Sequence, residues 1–386
     1  MRRAIKLALI AGEPSADVLG AALIRGLKRE GPVELVGLGG PLMQAEGLHS
    51  HLDASLFAVN GFTVVLRRFP RLLAEIRKLA AWIIEVQPDL LVTIDSPALS
   101  LRLARQIRQR VGGARLPLIQ LVAPTVWAWK PERAALFAQY FDGLLTLFPF
   151  EPPYFEAAGL SATFVGHPLA TRWQGLDRAT ARTELGWGAE ERVLLVLPGS
   201  RPNELHRLLP TFGATVQQVL TTRQLDRLVV PTFNHLQTKI ERATAGWPMQ
   251  PELLTTARQR HLAFAAGNTA LVASGTAAME LAAAGTPAVV SYSLGWLNDR
   301  LIAPRLRTEF VSIVNIMAKQ EIQPEYIGAH CRVELLAPAL VRLLDNPAAA
   351  AAQVAAAGAQ IDALKPPHHD AEARLAQALW ALYESL

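Results

Sequence analysis

Short runs of consecutive apolar residues alternate along this chain with longer stretches whose apolar positions recur every three or four residues. An unbroken apolar run of about four to eight residues marks a strand buried on both faces, and the longer periodic stretches mark the helices that cover it. Strands are expected at Ile5–Ala11, Glu34–Leu38, Leu90–Ile94, Leu116–Leu121, Gly143–Leu147 and Thr163–Val165. Near Gly166-His167-Pro168 the alternation stops, and a polar stretch runs to Trp187. It restarts with strands at Val193–Leu197, Arg227–Val230, Thr269–Val272 and Ala288–Tyr292. Strand and helix in strict alternation predict an α/β fold with parallel sheets. The Ala-rich stretch 348–359 reads as a helix that Pro366-Pro367 must interrupt, and Asp370 to Leu386 places Leu375, Leu379, Leu382 and Leu386 on one face of a last helix.

Two Rossmann-like halves joined by a short linker form the GT-B architecture, in which the domains face each other across a cleft and a terminal helix crosses back onto the first. The expected division is 1–168, 169–365 and a crossing helix in 366–386. Two segments of the second half carry chemistry. LVLPGSRPNEL, residues 195 to 205, runs from a buried strand into a Gly-Ser-Arg turn and then a helix start. That puts Ser200 and Arg201 at a strand's C-terminal end, where open α/β sheets hold ligands, and a helix start with a guanidinium suits a diphosphate. An ordinary βα turn with a surface arginine has the same look. LVASGTAAMELAAAGTPAVVSY, residues 271 to 292, repeats the pattern with Ser274-Gly275-Thr276 and a small-residue helix bearing Glu280.

Composition narrows the picture little further. A chain of 386 residues, 51% of them hydrophobic and 18% charged, suits two ordinary globular domains. The net charge of +5 favours anionic partners such as nucleotides or phospholipid headgroups without choosing among them. Nucleic acid is the weakest of these, because the basic residues are not interleaved with aromatic stacking surfaces. Cys331 is the single cysteine, which excludes an internal disulfide and fits a reducing compartment. No uninterrupted run of about 20 apolar residues is present.

The motifs then line up with a known family. AGEPSADVLGAALIRGLK (11–28), GLGGPLMQAEG (37–47), APTVWAWKPERA (123–134), FPFE (148–151), GHP (166–168), the two segments above and VSIVNIMAKQEIQPE (311–325) follow one another in the order of the bacterial lipid-A-disaccharide synthase family, which the chain resembles nearly end to end. The resemblance implies an inverting glycosyltransferase: UDP-2,3-diacylglucosamine condenses with 2,3-diacylglucosamine 1-phosphate, forming a β-1,6 linkage and releasing UDP. It implies no metal and no cofactor, the UDP-sugar being a substrate. It places Arg201 on the diphosphate with Ser200 and Glu204 beside it, Ser274, Gly275 and Thr276 on phosphate oxygens, Glu280 on ribose hydroxyls, and Asn315 approaching the nucleotide from the opposite side. Asp95 in TIDSP matches the aspartate of the family's Ile-Asp-Ala-Pro motif and is the expected base, although an aspartate at a βα turn is also a common N-cap. Glu13 and Asp17 are further acceptor-side carboxylates, Asp17 serving equally as a first-turn charge on a helix dipole. Trp127 and Trp129 are rings for sugar or acyl groups or simply core, and His167 lines the cleft or hydrogen-bonds at the hinge.

The chain departs from the pattern chiefly on the acceptor side. Asp95-Ser96-Pro97-Ala98-Leu99-Ser100 lacks the second carboxylate and the amide of the family's Asp-Ala-Pro-Asp-Phe-Asn. Ala16 stands for glycine, Val64 for glutamate, Val314 for proline and Ser293 for a basic residue. A transferase or epimerase acting on another UDP-sugar, and a non-catalytic nucleotide- or lipid-binding relic, therefore remain alternatives. From Phe62 to Val86, apolar Phe69, Leu72, Leu73, Ile76, Leu79 and Trp82 mingle with Arg67, Arg68, Arg71, Arg77 and Lys78. Such a segment either lies in an anionic bilayer interface or packs on the sheet with a solvated basic face. Diacylated substrates favour a cytoplasmic protein peripheral to the inner face of the cytoplasmic membrane, with a homodimer left open.

Overall fold

The computed structural model describes residues 5–51, 62–110, 116–293, 308–366 and 370–386; the side chains of 62–71 also lie outside the description. The strands are β1 Ile5–Ala11, β2 Val33–Leu38, β3 His49–Ser50, β4 Leu90–Ile94, β5 Leu118–Leu121, β6 Gly143–Thr146, β7 Ala162–Phe164, β8 Val193–Leu197, β9 Arg227–Pro231, β10 Glu252–Leu254, β11 Thr269–Ala273, β12 Ala288–Tyr292 and β13 Glu325–Ile327. The α-helices are α1 Pro14–Glu30, α2 Pro41–Ala45, α3 Phe62–Val86, α4 Pro97–Arg110, α5 Arg133–Tyr140, α6 Pro152–Glu156, α7 Arg178–Leu185, α8 Pro202–Leu220, α9 Gln237–Thr244, α10 Ala257–Ala266, α11 Thr276–Ala283, α12 Ile313–Ala318, α13 Val333–Asp345, α14 Pro347–Asp362 and α15 Ala371–Glu384.

The chain divides into two compact units, Met1–Pro168 with Leu364–Leu386, and Leu169–Ala363. In the first unit seven parallel strands run in the order β3-β2-β1-β4-β5-β6-β7. Alternate side chains of β1 face opposite ways. Leu7, Leu9 and Ala11 join a core with α1 and α15, whereas Ala8 and Ile10 join Ile76, Leu79 and Ile83 of α3 and Leu103 and Ile107 of α4. Both faces are thus covered, which is why the strands read as continuous apolar runs. α15 docks closely on α1, since a Cβ on Gly26 would fall 2.0 Å from the Glu372 carbonyl oxygen. Arg25 and Arg29 of α1 pair with Glu372 at 2.6 and 2.5 Å.

In the second unit six parallel strands run β10-β9-β8-β11-β12-β13, and residues of α8 and α13 close one core over them. The Ala-rich stretch is α14, its first turn capped by the Asn346 side chain accepting from the Ala349 N–H. The central strands fall within a few residues of their expected ranges. β3, β10 and β13 were not expected: they are two or three residues long and sit at or near sheet edges, too short for a run or an alternation to show.

Both sheets share one order, with the first strand lying between the second and the fourth. Its switch point falls between β1 and β4 in one unit and between β8 and β11 in the other, and ligands of such sheets collect outside the strand C-termini there.

Candidate active site

At the switch point of the second unit, a pocket of about 510 Å³ is lined by Gly199, Ser200, Arg201 and Glu204 after β8 and by Ser274, Gly275, Thr276 and Glu280 after β11. Seven of the eight donor-side residues expected from sequence therefore meet around one cavity, of a size that suits a nucleotide. The β8 turn is tight. Gly199 has φ +104 and Arg201 is the N-cap of α8 in extended conformation. Glu204 reaches back from the first turn: its Oε2 accepts the N–H groups of Ser200 (3.0 Å) and Arg201 (3.2 Å), and its Oε1 accepts from the Arg201 guanidinium at 3.0 Å. In this capping box a carboxylate of the chain itself occupies amides suited to an anion. At the β11 turn Gly275 is the N-cap of α11 with φ +143, and no side chain caps that helix start among the described residues.

The pocket also gathers residues the sequence reading missed: Arg172, Trp173, Phe233, Arg260 and His261. Arg172 donates to Glu280 at 2.6 Å. Burial raises the Glu280 carboxyl above its ordinary range, with Arg172 and then Arg260 opposing it. Arg172 also lies over the Trp173 ring at 5.0 Å, and His261 stacks on that ring at 4.9 Å. Burial, with Arg172 and Arg258 nearby, lowers the His261 imidazole. Asn315, expected to approach the nucleotide from the opposite side, is not part of this lining. Its fully buried amide donates to the Gln323 carbonyl (2.7 Å) and Glu325 (2.8 Å) and accepts from the Ile322 and Gln323 N–H groups, so it ties the segment before β13 to α12.

The switch point of the first unit brings Asp95 and Glu13 together through two serines. Ser15 Oγ donates to Asp95 Oδ2 at 3.2 Å, and Ser96 Oγ donates to Glu13 Oε1 at 2.8 Å. Asp95 and Ser96 hold φ +55 and +43, and β-branched Val122, after the neighbouring β5, holds φ +78. Such conformations persist only where surroundings over-determine them, and they concentrate at functional sites. Here the surroundings centre on Gln120, fully buried and also missed from sequence. Its amide donates to the carbonyls of Asp95 (3.0 Å), Leu121 and Val122 (both 3.1 Å), while its oxygen accepts from Thr93.

Asp17 belongs to the framework instead. It is 5% exposed, and its two oxygens accept the N–H groups of Leu42 and Met43, each at 3.0 Å, capping α2 from α1. Trp127 is likewise core rather than an exposed sugar platform: it is 7% exposed, its indole N–H donates to Glu151 at 3.2 Å, and Phe150 packs edge-on against it. Trp129 stays exposed, with the Lys130 ammonium over its ring at 4.4 Å. His167 packs on Phe148, and burial holds its imidazole down to about 4, neutral at ordinary pH. Within α3, Ile76 and Leu79 pack on the sheet, which makes them core rather than interfacial, whereas Phe69, Arg67, Arg68 and Arg71 lie outside the described side chains. Arg77 of α3 and Arg102 and Arg105 of α4 share a groove of about 280 Å³ with Leu73, Ile76, Gln106 and Gln109. Among the described residues no group of His, Cys, Asp and Glu could hold a metal, and no helix is long and apolar enough to cross a membrane.

The sequence profile of the lipid-A-disaccharide synthetases matches residues 7–379. The chain belongs to the lipid-A-disaccharide synthase family. It is 40% identical over 358 residues to the lipid-A-disaccharide synthase of Ruegeria pomeroyi, covering 90% of this chain and 88% of that one. It is 42% identical over 352 residues to that of Rhodospirillum centenum, covering 90% and 86%. Among solved structures it is similar to UDP-GlcNAc 2-epimerase from Neisseria meningitidis bound to UDP-GlcNAc, with TM-score 0.61, 9% identity and 99% and 100% of the two chains covered. A trehalose-6-phosphate synthase gives TM-score 0.58 at 12% identity over 99% of each chain. At such identities the likeness is one of fold, GT-B-like with two parallel sheets. The family is that of a glycosyltransferase, and the epimerases share its architecture alone.

Proposed function

We propose that the chain condenses UDP-2,3-diacylglucosamine with 2,3-diacylglucosamine 1-phosphate, inverting the anomeric centre to give the β-1,6-linked disaccharide 1-phosphate and UDP. The observation that carries this reading is the pocket between the β8 and β11 turns, found in a chain whose relatives of about 40% identity are lipid-A-disaccharide synthases. Arg201 and the α11 N-terminus take the diphosphate and stabilise the charge that grows on UDP as the glycosidic bond breaks. Glu280 accepts ribose hydroxyls through the oxygen that Arg172 leaves open. Asp95 takes the proton of the acceptor's 6-hydroxyl, with Glu13 and the two serines fixing its environment. Asp17 and Asn315 act on the framework only. The test is a product assay with both diacylated substrates and no added metal, read by mass spectrometry. Disaccharide 1-phosphate with UDP is expected; UDP binding without product would overturn the acceptor assignment.

A peripheral position on the inner face of the cytoplasmic membrane is part of the same proposal. Residues 62–110 contain nine Lys and Arg against four Asp and Glu, a net +5 that equals the charge of the whole chain. The groove holding Arg77, Arg102 and Arg105 lies on these helices. Association with anionic vesicles that falls as salt rises is expected, and equal binding to neutral vesicles would refute an electrostatic docking.

A further inference from the structure

Trp173, Phe264 and Phe233 line the pocket of the second unit, and they differ in what they can offer a ligand. Trp173 is 5% exposed, donates its indole N–H to the His261 carbonyl at 2.9 Å, and carries both the His261 ring and the Arg172 guanidinium against its own ring. Phe264 is 7% exposed and lies 6.0 Å from the Trp173 ring. Phe233 is 41% exposed, one of the few large apolar side chains of the described residues left in solvent.

Phe233 is nevertheless held. The Arg260 guanidinium lies over its ring at 4.4 Å, and that guanidinium is fixed by the Thr232 carbonyl at 3.1 Å and by the Thr255 carbonyl. Thr232 and Thr255 follow directly on β9 and β10, so the ring is anchored through two adjacent strand ends. His235, outside the pocket lining, stacks on the same ring at 5.8 Å with the planes 28° apart. A ring that a cation braces, that lines the cavity and that keeps 41% of its surface exposed is a stacking surface of low entropic cost.

Its place along the sheet decides what stacks. The diphosphate groups Arg201, Ser274, Gly275 and Thr276 follow β8 and β11, and the ribose acceptor Glu280 lies one helical turn beyond. Arg260, under Phe233, is close enough to Arg172 and Glu280 for both to perturb its guanidinium. A nucleoside diphosphate whose ribose is on Glu280 therefore brings its base to the Phe233 side. We propose that Phe233 is the positioning residue for the nucleobase, with the uracil ring stacked on the part of the Phe233 ring that stays exposed in the pocket.

This rests on the UDP-sugar reading above. Stacking acts equally on bound substrate and transition state, so its loss raises KM without lowering kcat. Alanine substitution at such platforms weakens binding about 5- to 150-fold. Phe233→Ala and Phe233→Leu are expected to raise the UDP Kd and the donor KM together within that range. Inhibition by inorganic pyrophosphate should be unchanged, and Phe233→Trp should restore UDP binding. Binding of UDP by Phe233→Leu within twofold of the unaltered chain overturns the proposal, as does an equal loss for pyrophosphate. If the unaltered chain binds no UDP, the nucleotide reading fails and the stacking role with it; if it binds UDP indifferently to Phe233, the stacking role fails alone.

Discussion

Gly199 is where the backbone of the β8 turn and the side chain that closes it press on each other. A methyl group added there would sit 2.4 Å from Glu204 Oε2 and 2.8 Å from Glu204 Cβ, on a residue at φ +104, beyond the left-handed region that alanine tolerates best. Glu204 cannot simply turn aside, because the same Oε2 holds the Ser200 and Arg201 N–H groups. Gly199→Ala must therefore accept backbone strain of about 1–3 kcal/mol and loss of a cap worth about 0.5–2 kcal/mol. The sum is about 1.5–5 kcal/mol of unfolding free energy. Urea denaturation measures it. Gly246→Ala is the control, having no neighbour within 4 Å of the new methyl and an ordinary φ. Removing the obstructing carboxylate separates the parts: in a Glu204→Ala background the backbone strain and the 2.8 Å contact with Cβ remain but the carboxylate clash and its cap are gone, so the double-mutant cycle should show coupling of about 1 kcal/mol or more. A Gly199→Ala protein within about 0.5 kcal/mol of its parent, or strict additivity with Glu204→Ala, would refute the account of this turn.

Arg201→Ala should weaken UDP binding about 10- to 100-fold, the loss of one charge-assisted contact, as read by titration calorimetry. Asp95→Ala should lower turnover about 10²- to 10⁴-fold while the UDP Kd stays unchanged; full activity would remove Asp95 as the base. Asp17→Ala should cost about 1–3 kcal/mol of stability, since the buried Met43 N–H and the part-buried Leu42 N–H lose their acceptor, and an activity loss without a stability loss would instead point to a catalytic role. Burial raises the Glu151 carboxyl from its ordinary 4.5 to about 7. In that window the native state holds a proton the unfolded chain has released, so the stability this group contributes is complete below about pH 4.5 and lost as pH rises through about 7. The full effect is about 3 kcal/mol, checked as the difference in pH slope between the parent and Glu151→Gln in urea unfolding.

The sequence by itself determined the order of the elements and the kind of ligand. Runs such as Val193–Leu197 can only be strands covered on both faces, and Gly199 and Gly275 announce turns because their backbones need φ values that other residues resist. Those signals are local, and local signals survive in one dimension. The tertiary structure alone decided which polar residues line a pocket and which are hydrogen-bonded within the frame. Asp17 and Asp95 look alike in sequence, each beside a βα turn, yet one is spent on the α2 amides and the other ends β4 among two serines and a strained backbone. Asn315 looked like a ligand contact and is consumed by its own loop. Arg172, Phe233 and Arg260 carry no motif at all, and Gln120 is an isolated amide within an apolar run. Their places come from parallel strand order, which sets side by side residues that the chain separates by dozens of positions. Hydrogen bonds and stacking reach only a few ångströms, so only the fold could assign them.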